Sequence, residues 1–243
     1  MKKLLVILSL IFVSVETNAQ FFRGIGIFVA GNSTAHRYRN LNSTKKDPNV
    51  FVYEYYYPQN HYSRDYQSFG VGLLAEFLRY DHIRWQTEFE YTMKGAVEKE
   101  IGNLYTGELS GRVGANVYQY IQWNNFLKFM GNTTRKGQWY TMLGVRLEYL
   151  NSFAVSVFPE MAGTFPKIWF SGDAGAGFEF FTWKKWHPFV EFHYNPDLIY
   201  QPPRLGLSSV RSRTFELRVG IIFRPMPKSI DDCNAPVYHG TYY

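Results

Sequence analysis

Histidine has the widest chemical scope of the residues in this sequence. Four histidines are candidates for catalysis: His61, His82, His187 and His193. A lipid-modifying Ser/His/acid site needs a histidine that reaches a nucleophile or water and is oriented by a carboxylate. His193 alternates with polar Glu191 and Asn195, which predicts a side chain held among polar neighbours. No Gly-x-Ser-x-Gly segment occurs. We therefore expect structural histidines, no catalytic residue and no enzymatic activity.

Ligands for a metal ion or a cofactor are scarce. Metal sites need clustered His, Cys or acidic residues, and only Asp231-Asp232-Cys233 comes near this pattern. The segment GIGIF, which begins at Gly24, opens a strand and is not a phosphate-binding loop. The single cysteine excludes an intramolecular disulfide, and the net charge of +6 is dispersed along the chain. We expect no cofactor, no metal site and no nucleic-acid partner.

The charged residues recur instead at every second position. In WQTEFEYTMKG, residues 85–95, Glu88, Glu90 and Lys94 alternate with large apolar side chains such as Phe89 and Met93. A period of two predicts a strand with two unlike faces. In a soluble sheet the apolar face is the core, whereas in a membrane barrel it faces lipid.

Eight such strands are predicted, and many have twelve or more residues: Phe21–Gly31, Ser68–Tyr80, Ile83–Glu98, Val113–Met130, Trp139–Leu150, Ile168–Trp183, Pro188–Tyr200 and Arg213–Arg224. Strands of soluble proteins have about five or six residues, whereas a tilted strand needs about nine to eleven to cross a bilayer. The predicted connections alternate between short turns and long loops, as in outer-membrane barrels. The fourth strand alternates least clearly, and we expect a bulge there.

If the apolar faces meet lipid, the polar faces share one lumen. An eight-stranded barrel is just wide enough for side chains to fill it, so we expect a lumen packed with ion pairs, with glycines making room for Arg and Glu. The predicted lumen charge network contains Glu76, Glu88, Glu90, Lys94, Arg146, Glu148, Asp173, Glu179, Glu191, His193, Glu216 and Arg218. Acidic groups outnumber basic ones, so some must bind water or have a raised pKa.

The two ends of the chain do not continue this pattern. Residues 1–19 combine a basic start with an apolar stretch and end in Thr17-Asn18-Ala19, which indicates a signal peptide. Residues 20–224 form the predicted barrel, and residues 225–243 form a periplasmic tail with several prolines. These features predict export to the outer membrane of a Gram-negative cell.

The first long loop contains an aromatic segment, VFVYEYYYPQNHYSRDY, residues 50–66. One interpretation is that its rings extend the first two strands and form an interface girdle. The other is a contact surface for a protein partner, a glycan or lipopolysaccharide, since tyrosine-rich loops bind well. The candidate contact residues are Phe51, Tyr53, Tyr55, Tyr56, Tyr57, Tyr62 and Tyr66.

The run GVGLLAEFLRYDHIRWQTEFEYTMKGAVE, residues 70–98, resembles the PorT-like porin family, which consists of small outer-membrane β-barrel proteins of Bacteroidetes. The shared features are a glycine-rich strand, a tight turn and an aromatic-x-x-Lys-Gly ending, here Tyr91 to Gly95. The segments DAGAGFEF and FELRVGIIF are similar to that family's later strands. The resemblance implies an outer-membrane barrel, and the best-studied relative assists type IX secretion.

The sequence thus predicts an all-β fold: an eight-stranded antiparallel transmembrane β-barrel with a polar, side-chain-filled lumen. A secreted lipocalin is the main rival, but it places apolar residues inside. We expect a non-enzymatic structural or accessory protein that acts through its loops or tail, in a secretion or assembly complex. Its predicted partners are outer-membrane lipid, lipopolysaccharide and a protein of that complex. The alternatives are a lipid-modifying barrel enzyme and a small diffusion pore.

Overall fold

The computed structural model describes residues 22–39, 63–78, 82–99, 113–156, 165–181, 185–201 and 209–224. Several predicted features lie outside these residues: the signal peptide, the tail, Cys233, and the aromatic segment up to Tyr62. The described residues form eight strands: β1 (Phe22–Arg39), β2 (Arg64–Phe77), β3 (Ile83–Lys99), β4 (Val113–Thr133), β5 (Gly137–Val155), β6 (Ile168–Phe180), β7 (Trp186–Pro196) and β8 (Ser209–Phe223).

The strands form one closed antiparallel barrel in which each strand pairs with its sequence neighbours. β1 closes the ring by pairing with β8 from Ile25–Phe223 to Arg39–Ser209. Closure leaves no sheet edge, so every strand has a hydrogen-bonding neighbour on both sides. We name the barrel's two ends by their connections. The turn end carries the short β2–β3, β4–β5 and β6–β7 connections, and the loop end carries the longer ones.

The pairing register determines the width of the barrel. Paired residues can be followed from Val29 on β1 through β2, β3 and β4 to Tyr149 on β5. In the other direction, through β8, β7 and β6, they lead to Trp139, also on β5. These two positions lie ten residues apart on β5, so the shear of the barrel is 10. With standard strand spacings, eight strands and this shear give a tilt of about 41° and a backbone radius of about 8 Å. Side chains fill a cylinder of this size.

The two faces of the strands differ sharply in polarity. The outer wall is apolar, with Val29, Phe69 and Phe89 each about 60% exposed. Charged side chains point inward, and Glu88, Arg146 and Arg218 are almost completely buried. This is the arrangement of a transmembrane barrel, and it confirms the predicted fold class. No helix among the described residues is long and apolar enough to cross a membrane.

Two strands differ from the sequence prediction. β1 continues eight residues beyond Gly31 to Arg39, because its polar residues pair with β8 while Asn32, Thr34 and His36 point inward. Polar composition suggests a loop when only the sequence is read. β4 alternates regularly between buried and outward-facing residues. The irregularity lies in its pairing with β5, where Gln119 and Tyr120 face Ser152 and Leu150.

The regularity of β4 was hidden because its lumen face carries large apolar and aromatic residues. Phe126 and Met130 pack with Tyr140 and Met142 of β5. A second apolar cluster contains Phe28, Leu74, Phe189 and Ile222. Both clusters lie in the turn-end half of the barrel, so the lumen is a mixed core in which ion pairs lie between apolar side chains.

The lumen glycines make room for rings as well as for the expected Arg and Glu side chains. A Cβ atom at Gly72 would overlap the ring of Phe28, and one at Gly220 would overlap that of Phe189. A Cβ atom at Gly177 would meet both the ring of Tyr140 and Cγ of Glu191, and one at Gly70 would meet Oε1 of Glu90. The physical reason is that a flat ring needs a wall without a side chain in order to lie against it.

Candidate functional site

The candidate site is the network of charged and polar side chains in the lumen. The structure places all twelve residues of the predicted charge network inside the barrel, each with a relative exposure of 6% or less. They fall into three groups along the barrel axis. The turn-end cluster contains Glu76 and Glu179, and the loop-end cluster contains Lys94 and Glu148. The middle cluster contains the remaining eight: Glu88, Glu90, Arg146, Asp173, Glu191, His193, Glu216 and Arg218.

Arg218 of β8 organises one side of the middle cluster. Its Nη1 donates to Glu88 at 2.8 Å, its Nη2 to Glu90 at 2.7 Å, and its Nε to Glu216 at 3.1 Å. The guanidinium carbon Cζ lies 4.5 Å from the ring centroid of Phe28. Asn124 adds amide hydrogen bonds to both β3 carboxylates at 3.1 Å. Arg218 therefore ties β8 to β3 across the lumen.

Arg146 and His193 organise the other side. Arg146 donates from Nε to Asp173 at 2.7 Å and from Nη2 to Glu216 at 2.5 Å. The two ring nitrogens of His193 face carboxylates, Asp173 at 2.8 Å and Glu191 at 3.2 Å. Since both neighbours are hydrogen-bond acceptors, the ring satisfies both only when each nitrogen carries a proton. His193 thus serves as a second cationic bridge between β6 and β7.

The turn-end cluster lies at the turn-end mouth of the lumen. Lys128 of β4 donates to Glu76 at 2.9 Å and lies 3.9 Å from the ring centroid of Tyr140. Arg224, the first residue after β8, donates from Nη2 to Glu76 at 2.5 Å and to Glu179 at 2.8 Å. Arg84 of β3 also donates to Glu179, at 3.3 Å. Three cations therefore share two carboxylates from β2 and β6.

The loop-end cluster is centred on Lys94. Its Nζ donates to Glu148 and to the side-chain oxygen of Asn195, both at 2.6 Å. Ser171 donates to the same Glu148 oxygen at 2.6 Å. Beyond this cluster the lumen is capped by rings. Phe165, which precedes β6, is 2% exposed, and its ring centroid lies 4.1 Å from that of Tyr118.

Asp197 lies just beyond β7 and fastens the base of the β7–β8 connection. Its Oδ2 accepts hydrogen bonds from the backbone N of Ser212 at 2.7 Å and from Nε2 of Gln201 at 3.0 Å. Burial, together with the nearby charge of Glu148, raises the pKa of Asp197 to about 7. Asp197 is thus an acidic group of the kind that the excess of acidic residues led us to expect.

Several lumen residues were absent from the predicted network. The charged ones are Arg84, Glu98, Lys128, Asp197 and Arg224. Parity could have found all five, because each lies in a predicted strand. Arg84 and Glu98 share the face of Glu88, and Lys128 shares that of Asn124. Asp197 shares the face of His193 in the predicted seventh strand, and Arg224 shares the face of Arg218 in the predicted eighth strand. Tyr118, Tyr120 and Tyr140 were missed because an aromatic residue on a barrel strand normally suggests the lipid face.

The same geometry bears on metal binding. Ligand atoms of Asp173, His193 and Glu216 lie within 4.8 Å of one another. However, Arg146 donates to both carboxylates, and His193 lies between Asp173 and Glu191. The cationic side chains of the protein already neutralise these carboxylates. The arrangement of these residues therefore suits an ion-pair network better than a metal site.

The other predicted candidates do not converge on this site. His82 is exposed at the turn end, and His187 lies 3.2 Å from Glu179 at the turn-end mouth. His61, the Asp231-Asp232-Cys233 group and six of the seven aromatic contact residues lie outside the described residues. Tyr66, the seventh, lies in β2, where its ring contacts the position of Gly95.

No family model and no curated protein matches this chain. Solved structures that are similar include Neisserial surface protein A, NspA, at 11% identity and a TM-score of 0.42 over 82% of this chain and 97% of that one. OprG of Pseudomonas aeruginosa, an outer membrane protein, is 11% identical with a TM-score of 0.44 over 84% and 97%. The outer membrane protease OmpT of Escherichia coli is 8% identical with a TM-score of 0.38 over 84% and 96%. At these values no function is transferred, and membership of the PorT-like family stays a prediction.

The middle cluster leads to a stability prediction. Replacing Arg218 with Ala leaves Glu88, Glu90 and Glu216 buried without their shared cation, and breaking a buried pair in this way costs about 3–5 kcal/mol. Arg213→Ala, on the same strand but exposed, is the control, with an expected cost of about 0–1 kcal/mol. The measurement is the free energy of unfolding by urea in detergent micelles. Equal losses for the two variants would contradict the proposed role of Arg218.

Asp197 leads to a prediction about pH. Between the ordinary pKa of an aspartate and about 7, the folded protein keeps a proton that the unfolded chain has released, so stability falls as pH rises. Asp197→Asn cannot lose this proton, and its Oδ1 still accepts from the Ser212 backbone. Relative to the wild type, this variant should gain about 2–3 kcal/mol of unfolding free energy between pH 5 and pH 8. The control is Asp65→Asn, which removes an exposed carboxylate. A parallel pH dependence of wild type and Asp197→Asn would contradict the assignment.

Proposed function

We propose that this chain is a non-enzymatic outer-membrane protein whose barrel is a closed anchor and whose activity lies at its ends. The observation that carries the proposal is the filled lumen. Ion-pair clusters occupy its turn end, its middle and its loop end, and Phe165 caps the loop end. A lumen occupied along its length by paired side chains leaves the ends of the barrel as the surfaces that meet other molecules.

The location follows from the two faces of the barrel. An apolar wall of exposed Ile, Val, Leu and Phe requires a lipid environment, and β-barrels with this pattern are found in outer membranes. The signal peptide proposed for residues 1–19 would export the chain. Short turns then lie in the periplasm and long loops outside, so the turn end is periplasmic and the loop end extracellular.

The alternative of a lipid-modifying enzyme has less support. His193, the best-placed histidine of the described lumen, is completely buried, and both of its nitrogens are engaged by carboxylates. A substrate would have to enter the middle of the barrel to reach it. General acid–base chemistry needs the histidine within hydrogen-bonding reach of the substrate.

The two segments proposed to bind a partner are the aromatic segment of the first loop and the tail. Residues 50–66 contain seven rings, and residues 225–243 follow Arg224, which is held in the turn-end cluster. Arg224, the last described residue before the tail, is thus held at the turn end of the barrel. This arrangement suits an accessory component of a membrane complex, such as a secretion or assembly machine, as the resemblance to PorT-like proteins implies.

The test is co-purification from the native outer membrane after mild detergent extraction. We compare the full chain with a variant lacking residues 51–62 and with a chain truncated after Arg224, which keeps the turn-end cluster intact. A specific partner should co-purify with the full chain and be lost with one of the two variants. Heat-modifiable gel migration of each variant shows that its barrel is folded.

Two results would overturn the proposal. One is a partner set that is identical for all three chains, since the ends would then have no binding role. The other is a change in lipid A mass on expression of the protein that His193→Ala abolishes, because this would establish the enzymatic alternative.

A further inference from the structure

Three arginines lie together on the outer wall at the loop end, where β1 meets β8. Arg37 and Arg211 are direct cross-strand partners, and Arg213 pairs with Ala35 two residues further along. Arg37 and Arg213 are exposed, and Arg211 is half-buried. We call these three residues the wall arginines. None of them belongs to the lumen network, whose residues occupy the opposite face of the same strands.

The arrangement places like charges next to each other. Two cations directly opposite on one face of a sheet destabilise the pairing. On this part of the described wall, Asp65 supplies a carboxylate, with its Oδ1 3.8 Å from Nη2 of Arg213. Arg211 is positioned by donating from Nε to the backbone oxygen of Asp197, and its guanidinium lies 6.0 Å from the ring of Tyr200. The three guanidinium groups thus come from two strands and share one patch of the outer wall.

The height of the wall arginines relative to the membrane indicates which ligand they can reach. Phe215 and Tyr194 stack at 5.0 Å on the outer wall and are each 39% exposed, as expected for rings at the membrane interface. Arg213 lies two residues and Arg211 four residues above Phe215 on the same face. With the strand rise and the tilt derived above, these positions are about 5 Å and about 10 Å above the rings. The polar headgroup layer is itself about 5–8 Å thick on each side of the bilayer.

We propose that the wall arginines bind the phosphate groups of the phosphorylated glycolipid, lipid A, in the outer leaflet. The inference rests on the proposed outer-membrane location and assigns a ligand to the loop end. Guanidinium forks match the geometry of phosphate oxygens and form paired charge-assisted hydrogen bonds. Because the three residues come from two strands, one phosphate bound between Arg37 and Arg211 or Arg213 would join β1 to β8 where the barrel closes.

The experiment measures binding of lipid A to the full chain refolded in detergent micelles. The test variant is Arg37→Gln with Arg213→Gln, which keeps Arg211 and its hydrogen bond to Asp197. The matched control is Arg135→Gln with Lys136→Gln, which removes the same charge from the exposed β4–β5 turn. We expect the test variant to bind lipid A about tenfold more weakly or worse, and the control to bind like the wild type. The wild type should bind dephosphorylated lipid A at least as weakly as the test variant binds intact lipid A.

Three results would overturn the inference: equal losses in the two double variants, equal binding of intact and dephosphorylated lipid A, or binding of inorganic phosphate alone that the test variant loses. The last would assign the wall arginines to a free anion. Fractionation separates this inference from the proposed function. If the wild-type chain is found outside the outer membrane, the proposed location is refuted. If it is found there and co-purifies with its partner, but the test variant binds lipid A as tightly as the wild type does, only the lipid assignment is refuted.

Discussion

Each charged side chain that the strands turn inward must find its partner inside a cylinder of about 8 Å backbone radius. This constraint governs the whole interior. In a space this narrow, an unpaired carboxylate or guanidinium would bear a large desolvation penalty, so ions from different strands must converge. Arg218 meets three carboxylates from β3 and β8, and Arg146 links β5 to β6 and β8. Register, shear and ion pairing therefore depend on one another, since a shift of register would separate the charges.

The interior is not uniform along its axis. At the turn end, three cations share two carboxylates and lie beside apolar clusters. At the loop end, Lys94 donates to Glu148 within a group of neutral hydrogen-bonding side chains. Asp197 needs no cation while it is protonated, because its pKa is raised. Among these residues, cations outnumber carboxylates at the turn end but not at the loop end. A closed interior of this kind explains why the proposed activities fall on the rims: the tail at one end, and the loops and wall arginines at the other.

Much of this architecture could be predicted from the sequence because a two-residue period determines which face a side chain occupies. That rule brought Glu76 and Arg218, 142 positions apart, into one lumen without any knowledge of their contacts. It failed where residue type and face disagreed. Tyr118 and Phe126 are aromatic but point inward, and the polar end of β1 resembles a loop although it pairs with β8. Arg224 shares the face of Arg218, but a period of two does not reveal its contacts with Glu76 and Glu179.

The central claim is that the lumen is filled and closed, and conductance tests it most directly. The full chain, refolded and inserted into planar lipid bilayers, should give no stable unitary conductance, since buried ion pairs occupy the described lumen at its turn end, its middle and its loop end. Discrete and reproducible channel openings, present with the folded protein and absent from detergent alone, would contradict the account and support a diffusion pore instead.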